Sequence, residues 1–275
     1  MLLRVRASSF VTGLRGLALL RRWPYGDASG RLEEDAPAAP GSRSDTGDFL
    51  DIQQMDVGAG YEQWAVTYDT LPNPLLAAEQ PAMTRLLQRF AVGRALDAAS
   101  GTGRYATLLD ALGHEVVAVD TSRAMVEQAR SPDIPVLIGD LYALPIRDES
   151  IDLTVCALAL THLVDLRAPI AELARVTRAG GHVVVSDIHP VSVALGGQAL
   201  FRDAENRLRV VRNHEHWHSD YVRAFGEAGL HIRDCLEPRV SEEVIAMLGE
   251  PMRDAFRDAC LGLPYALIWD TVKAP

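Results

Sequence analysis

The sequence is short of several features that mark large protein classes. Cysteine occurs three times in 275 residues, at Cys156, Cys235 and Cys260, with no C-x-x-C pair. That spacing argues against a disulfide framework or a zinc–cysteine site and fits a reducing compartment such as the cytoplasm. No uncharged apolar run reaches the roughly 18 residues that a membrane span requires, so no stable membrane insertion is expected. Positive charge is in deficit: 27 Lys and Arg stand against 37 Asp and Glu, a net charge of −10, and lysine is scarce. Nonspecific nucleic-acid binding through a basic surface is therefore not expected. No internal repeat and no low-complexity core is found. What remains, 48% hydrophobic and 23% charged residues, is ordinary for a globular protein with room for one large domain and additions.

The first fifty residues differ from the rest. Met1 to Trp23 carries Arg4, Arg6, Arg15, Arg21 and Arg22 and no acid, and Gly26 to Asp48 is rich in Gly, Ala, Pro, Ser and Asp. Arg15 interrupts the apolar run and no A-x-A site follows, so a secretory signal fits poorly; a mitochondrial presequence fits the composition better. Read as a helix, the segment places Leu3, Phe10, Leu14 and Leu17 on one stripe. The expectation is an extension over residues 1–48: a helix that joins copies of the chain into a homo-oligomer, followed by a linker. A floppy tail is the plainer reading of the same residues.

From Tyr61 onward, strand-like and helix-like stretches alternate. Helices are expected at Pro81–Phe90, Gly103–Leu112, Arg123–Arg130, Ala168–Thr177, Ser219–Ala228 and Ser241–Leu261. Strands are expected at Arg94–Ala98, Glu115–Val119, Val136–Gly139, Ile151–Ala157, Gly180–Asp187 and Leu230–Leu236, with "PYALIWDTVKA" as the last. Ala199–Arg212 reads as a hairpin turning at "AEN". Unbroken apolar strands are covered on both faces, as in a parallel sheet. The expected fold is α/β and doubly wound, occupying residues 49–275, with cap elements near 49–90 and 190–225.

One stretch, "ALDAASGTGRYATLLDALGHEVVAVD" (Ala95 to Asp120), points to a ligand. In a doubly wound sheet, ligands sit beyond the carboxyl ends of the strands. Gly101 and Gly103 let a ligand approach the backbone and let the chain turn into a helix. Asp120 ends the second strand, where a carboxylate can take both hydroxyls of a ribose. A nicotinamide dinucleotide would fit that much. Asp97, just before the turn, would repel a pyrophosphate and suits a cationic amino group instead. Ala99 also stands where the first glycine of G-x-G-x-x-G belongs.

The motif "LDAASGTGRYA" resembles the first motif of the class I S-adenosylmethionine (SAM)-dependent methyltransferases, close to the small-molecule subgroup of ubiquinone and menaquinone C-methyltransferases. "IGDLYALPIRDESIDLTV" is similar to the next signature, "LARVTRAGGHVVVSD" to the segment leading into the fifth strand, and "YEQWAVTYDTLPNP" to the N-terminal cap. The resemblance covers roughly Tyr61 to Lys273. It implies SAM as cofactor, a seven-stranded mostly parallel sheet with an antiparallel last strand, and a cofactor site at Tyr68, Asp97, Ala99, Gly101, Gly103, Asp120, Thr121, Asp140, Leu141 and Ala157. In that set Asp140 meets the adenine amino group and the Leu141 N–H meets the ring. Ala99 departs from the usual glycine.

Methyl transfer is an in-line displacement that mainly needs alignment and exclusion of water. An oxygen nucleophile adds the need for a base. The resemblance implies that role for His162, in "CALALTHLVD", with Asp187 and His189, in "SDIHP", assisting. Phe201, His214, Trp217 and Tyr221 are the candidate acceptor contacts. On a strand, His214, His216 and His218 would share one side; a substrate wall is preferred there over a metal, and no metal is expected. The expected function is methylation of a small organic acceptor, a natural product or secondary metabolite. Cyclisation of a bound natural product on the same fold is the alternative, and a non-enzymatic binding module the third reading. "ALAL" in place of an N-P-P-Y-like tetrapeptide, together with the acidic charge, disfavours a nucleic-acid substrate.

Overall fold

The computed structural model of the protein describes residues 2–22, 49–129, 131, 133–249 and 252–275, so the expected linker lies outside the described residues. The chain opens with strand β1 (Leu2–Arg6), helix α1 (Ala7–Arg22), strand β2 (Phe49–Met55) and helices α2 (Val57–Tyr68) and α3 (Pro74–Leu87). Next come strand β3 (Arg94–Ala98), helix α4 (Arg104–Ala111), strand β4 (Glu115–Asp120), helix α5 (Arg123–Glu127) and strand β5 (Val136–Ile138). Strand β6 (Ile151–Ala157), helix α6 (Arg167–Val176), strand β7 (Thr177–Ile188) and helix α7 (Pro190–Ala194) follow. Strands β8 (Ala199–Arg202) and β9 (Leu208–Val211), helix α8 (His218–Glu227), strand β10 (Leu230–Leu236), helices α9 (Glu242–Ala246) and α10 (Met252–Cys260) and strand β11 (Ala266–Lys273) complete it.

The central sheet has seven strands in the order β10-β11-β7-β6-β3-β4-β5. β3, β4, β5, β6 and β7 pair in parallel, and β11 runs antiparallel to both β7 and β10. The chain enters at β3, winds out through β4 to β5, then returns to β6 beside β3. That reversal is the switch point at which such sheets open a crevice. Helices cover both faces. Ile170 and Leu173 of α6 and Tyr221 and Phe225 of α8 pack with Leu96, Val183 and Val185 on one side. Met83, Leu86 and Leu87 of α3 and Leu109 of α4 pack with Leu153, Val155 and Val184 on the other. Each such fully buried leucine contributes about 1.5–3 kcal/mol.

Several elements differ from expectation. The helix expected from Pro81 starts at Pro74, where the Asn73 side chain accepts the N–H groups of Leu75 and Leu76, and it runs on through Pro81. The helix expected over Ser241–Leu261 is two helices, α9 and α10. Strands β1 and β2 were not foreseen. They join β9 and β8 in a second sheet, ordered β1-β2-β9-β8, which forms part of the cap. Leu3 lies in β1 and so is not on the helical stripe. Leu14 and Ala18 of α1 are buried against Val244, Ile245, Ala255 and Ala259 of the same chain. The Arg21 guanidinium donates to the carbonyls of Ala259 and Leu261. Of the stripe expected to seek a neighbouring subunit, Leu14 is thus covered internally and Leu17 is partly buried against the same cluster. Among the described residues, no helix is long and apolar enough to cross a membrane.

Helix α2 approaches the second sheet so closely that only glycine fits at Gly60: a Cβ there would lie 2.3 Å from Val211 Cγ2. Gly60→Ala is expected to cost about 1–3 kcal/mol by overpacking. Adding Val211→Ala should return part of that loss, as thermal or denaturant melts of the single and double variants would show.

Candidate functional site

A cavity of about 350 Å³ opens at the carboxyl ends of β3, β4 and β6, beneath helix α2. Its volume lies in the range of small-molecule sites. Its floor is the turn from Ala99 to Gly103. Gly101 and Gly103 take positive φ (55° and 78°), and so does Ala99, at 57°. A side chain in that region costs on the order of 1 kcal/mol, so the alanine is held there by its surroundings. Leu158, at the end of β6, also lines the cavity with φ of 56°.

Hydrogen bonds brace the turn from both strands. The Ser100 N–H donates to the Val119 carbonyl at 3.0 Å, and the Gly103 N–H to the Ser100 carbonyl at 2.9 Å. Asp97 Oδ2 accepts the Ala106 N–H at 2.7 Å. Asp120 Oδ2 accepts the Gly101 N–H at 2.7 Å, and Oδ1 the Ser122 N–H at 2.8 Å. Burial raises both carboxyl pKa values, that of Asp97 to about 7, against the lowering effect of these N–H donors. Asp140 is exposed at the rim, where its Oδ1 accepts the Tyr142 N–H at 2.9 Å and Leu141 is buried beside it.

Tyr68, Asp97, Ala99, Gly101, Asp120, Thr121, Asp140, Leu141, Ala157 and His162 all line the cavity. Gly103 lies just behind the wall as the N-cap of α4. His162 follows β6 in a short turn. Its Nδ1 lies 3.0 Å from the Arg212 carbonyl, an acceptor only, so Nδ1 carries the proton and Nε2 the lone pair. That lone pair accepts the Tyr61 hydroxyl at 2.8 Å. Burial holds the His162 pKa below the usual histidine value and pushes the Tyr61 phenol well above its own. The pair is therefore a neutral imidazole facing a protonated phenol.

The remaining candidates sit elsewhere. Asp187, near the end of β7, is buried, accepting the Tyr221 hydroxyl at 2.8 Å, and burial raises its pKa to about 7. His189 caps α7, with its Nδ1 accepting the Val191 N–H at 3.2 Å. Phe201 stacks on Trp64, centroids 4.7 Å apart. His214 is half-buried with its N–H on the Thr161 carbonyl, and Trp217 is exposed at the start of α8. None of these six lines the cavity. Phe201 and Tyr221 are turned inward by the packing faces of β8 and α8.

The histidine row is not on a strand, because β9 ends at Val211. His216 instead donates to the Leu163 carbonyl at 2.7 Å, and His218 begins α8. Among the described residues, His189, His218 and Glu237 bring three ligand-type atoms within 4.8 Å of one another. The cap bond to His189 Nδ1 leaves the proton on Nε2, which donates to Glu237 Oε1 at 3.1 Å. His218 Nε2 lies at the same distance from that oxygen. The cluster reads as a hydrogen-bonded tie between β7, β10 and α8, not a ligand set.

Three contributors were missed in the sequence. Tyr61 shares a helix face with Trp64 and Tyr68, at the 3.6-residue spacing that could have revealed it. Arg104 lines the cavity. Glu79, completely buried on α3, accepts the hydroxyls of Tyr105 and Ser186 at 2.5 and 2.6 Å.

Comparison with known proteins gives a consistent set. Residues 96–185 match the family model described as a methyltransferase domain. The demethylmenaquinone methyltransferase of Renibacterium salmoninarum is 36% identical over 149 residues, covering 51% of this chain and 62% of that protein. This chain thus spans less than two thirds of that relative's length. The demethylmenaquinone methyltransferase of Corynebacterium efficiens is 30% identical over 171 residues, covering 59% of this chain and 74% of the relative. A solved structure, an S-adenosylmethionine-dependent methyltransferase from Mesorhizobium loti, superposes with a TM-score of 0.56 at 24% identity, covering 73% of this chain and all of that one.

The buried carboxyls make a pH test available. Asp97 and Asp187 have folded-state pKa values of about 7, above the usual carboxylate range. The folded chain therefore keeps protons that the unfolded chain releases, and stability falls as pH rises from about 4 to about 7. Asp97→Asn, which still offers an oxygen to the Ala106 N–H, should flatten that decline. It should raise stability at pH 8 by about 1 kcal/mol or more, read from denaturant melts at pH 5 and pH 8.

Proposed function

This chain belongs to the class I S-adenosylmethionine-dependent methyltransferases, and on that premise we propose that it methylates a small organic acceptor bearing a hydroxyl group. The observation that carries the reading is the Tyr61–His162 pair on the wall of the same cavity that holds the glycine turn and Asp120. The residues present fit the cofactor. Asp120 keeps lone pairs beyond those used by Gly101 and Ser122, and these suit a ribose diol. The Asp97 carboxyl suits an ammonium, and Asp140 with the Leu141 N–H suits an adenine edge. Two acidic groups in the floor, Asp97 and Asp120, disfavour a pyrophosphate. Bound there, the cofactor supplies an activated methyl group.

The chain's own residues supply alignment and proton management. Val57, Tyr61, Tyr68, Tyr142 and Leu163 give the cavity an apolar and aromatic wall that excludes water and suits an apolar or aromatic acceptor such as a secondary metabolite. An acceptor hydroxyl at Tyr61 passes its proton to the phenol oxygen while the Tyr61 proton moves to His162 Nε2. The Arg212 carbonyl holds the ring oriented throughout.

Two measurements test this. Asp120→Ala should weaken S-adenosylhomocysteine binding by about one to two decades in calorimetry. Undiminished binding would put the cofactor elsewhere. Labelled SAM incubated with candidate small hydroxy compounds, read by mass spectrometry, identifies the acceptor. With that acceptor, His162→Ala should lower turnover by about 10²–10⁴-fold, with SAM affinity nearly intact. Wild-type turnover should rise with pH through a midpoint below the usual histidine value, because only the neutral imidazole accepts the proton, and the variant should lose this limb. An unchanged rate would instead favour an amine or carbon acceptor that needs no base.

A further inference from the structure

His214 and His216 take no part in the proton transfer between acceptor, Tyr61 and His162, yet the segment that carries them touches that site. Strand β9 ends at Val211, and residues 212–216 lie beyond it. Alternate members of this segment spend polar groups on one short turn. The Arg212 carbonyl accepts the His162 Nδ1–H at 3.0 Å. The His214 N–H donates to the Thr161 carbonyl at 2.7 Å, and the Thr161 hydroxyl donates to the His214 carbonyl at 3.4 Å. The His216 Nε2–H donates to the Leu163 carbonyl at 2.7 Å. Thr161, His162 and Leu163, consecutive in the chain, are thus each held by a residue of the 212–216 segment.

The segment is itself pinned on other sides. The Asn213 N–H donates to Gln198 Oε1 at 2.7 Å, and the Asn213 side-chain amide donates to the Gly197 carbonyl at 3.4 Å. His216 is buried, and its ring stands edge-on to Tyr221, centroids 6.2 Å apart. The Tyr221 hydroxyl bonds Asp187, whose carboxyl also takes the Thr161 N–H. The turn is therefore gripped from β7 as well as from the segment.

A neutral imidazole can carry its proton on either nitrogen, and the hydrogen bond made at one nitrogen decides which. For His162 that bond goes to a main-chain carbonyl, and the aim of the carbonyl depends on how residues 212–216 are held. His216 makes its contact through a side chain, so a substitution can remove it without altering the backbone. We propose that His216 is a positioning residue: it keeps the Arg212 carbonyl on His162 Nδ1, and so keeps the Nε2 lone pair turned to Tyr61. The inference rests on the reading of His162 as proton acceptor. Neither Arg212 nor His216 lines the cavity, so the task is separate from holding either ligand.

The test is NMR of the histidine ring nitrogens in the labelled full chain at pH 8, where His162 is neutral, with His162→Ala assigning its signals. His216→Phe keeps a ring and loses the donor, and His216→Gln keeps a donor. Gln198→Ala frees Asn213 and leaves the turn's own bonds in place. Circular dichroism melts check folding, and calorimetry with S-adenosylhomocysteine checks the cavity. The parent and His216→Gln should show His162 protonated at Nδ1. His216→Phe and Gln198→Ala should show the proton shared between Nδ1 and Nε2, with S-adenosylhomocysteine affinity unchanged. With the acceptor found by the labelled-SAM screen, kcat of His216→Phe should fall about 10- to 100-fold while KM for SAM holds. An undisturbed Nδ1 proton in His216→Phe, or in Gln198→Ala should the phenylalanine variant not fold, would overturn the proposal. A loss of S-adenosylhomocysteine binding as large as the loss of turnover would overturn it too, because His216 would then support the fold at large. If the parent itself carries the His162 proton on Nε2, the reading of His162 as base fails, and this inference with it.

Discussion

The hydrogen bond from the Gly101 N–H to the Asp120 carboxylate ties together the two places where β3 and β4 end. Both strands are central and parallel, and both release their chains at the same edge of the sheet. Without a partner from β4, a turn holding three consecutive odd-numbered residues at positive φ would have little reason to keep its shape. The Asp97 bond to Ala106 secures the other end of the turn by gripping the first turn of α4. The cavity floor is thus backbone, held by two carboxylates that pay for their burial with N–H donors. That arrangement leaves both acids facing a ligand space with lone pairs to spare.

Burial sets the charge of this space. Asp97 is raised to about 7 and Asp120 is raised as well, because burial disfavours their charged forms more than the N–H donors around them restore. Arg104 is a nearby cation, and it is poised at a helix end that disfavours it. On the proposed reading, a ligand carrying an ammonium and a ribose diol would satisfy both acids at once. The local rules broken here, an alanine at positive φ and a cation at a helix N-terminus, fall where binding would use them.

The central sheet was legible in the sequence because its strands are covered on both faces and read as unbroken apolar runs, as in Val183 to Val185. The cavity wall was legible because glycines and acids at strand ends have few other uses. The cap was not. β1 and β2 pair across a segment of more than forty residues in sequence, from Leu2 to Gln53, and no local pattern encodes such a partner. Pro81 read as a helix start, although α3 tolerates it in mid-helix. The histidine row read as one face of a strand, but its backbone leaves extended pairing at Val211. Glu79 and Arg104 were passed over because charged residues on helices are ordinarily solvent-facing; only tertiary packing shows that Glu79 is fully enclosed.

Helix α2 joins the two halves of the chemistry. Midway along it, the Glu62 carboxylate accepts the Ser122 hydroxyl at 2.9 Å, two residues beyond Asp120. Glu62 directly follows Tyr61, which belongs with Trp64 and Tyr68 to the helix's aromatic face, and Tyr61 reaches His162. Trp64 stacks on Phe201, which anchors the helix to β8. Gly60 sets its distance from β9. A helix fixed at these points cannot shift toward the loop after Asp120 without also moving the Tyr61 phenol that meets His162. On the proposed reading, register between cofactor and acceptor is therefore a property of one rigid element, and alignment is the main contribution a methyl-transferring protein must make. On that reading, Phe201 and Val211, which hold α2 without lining the cavity, act on the reaction through that geometry.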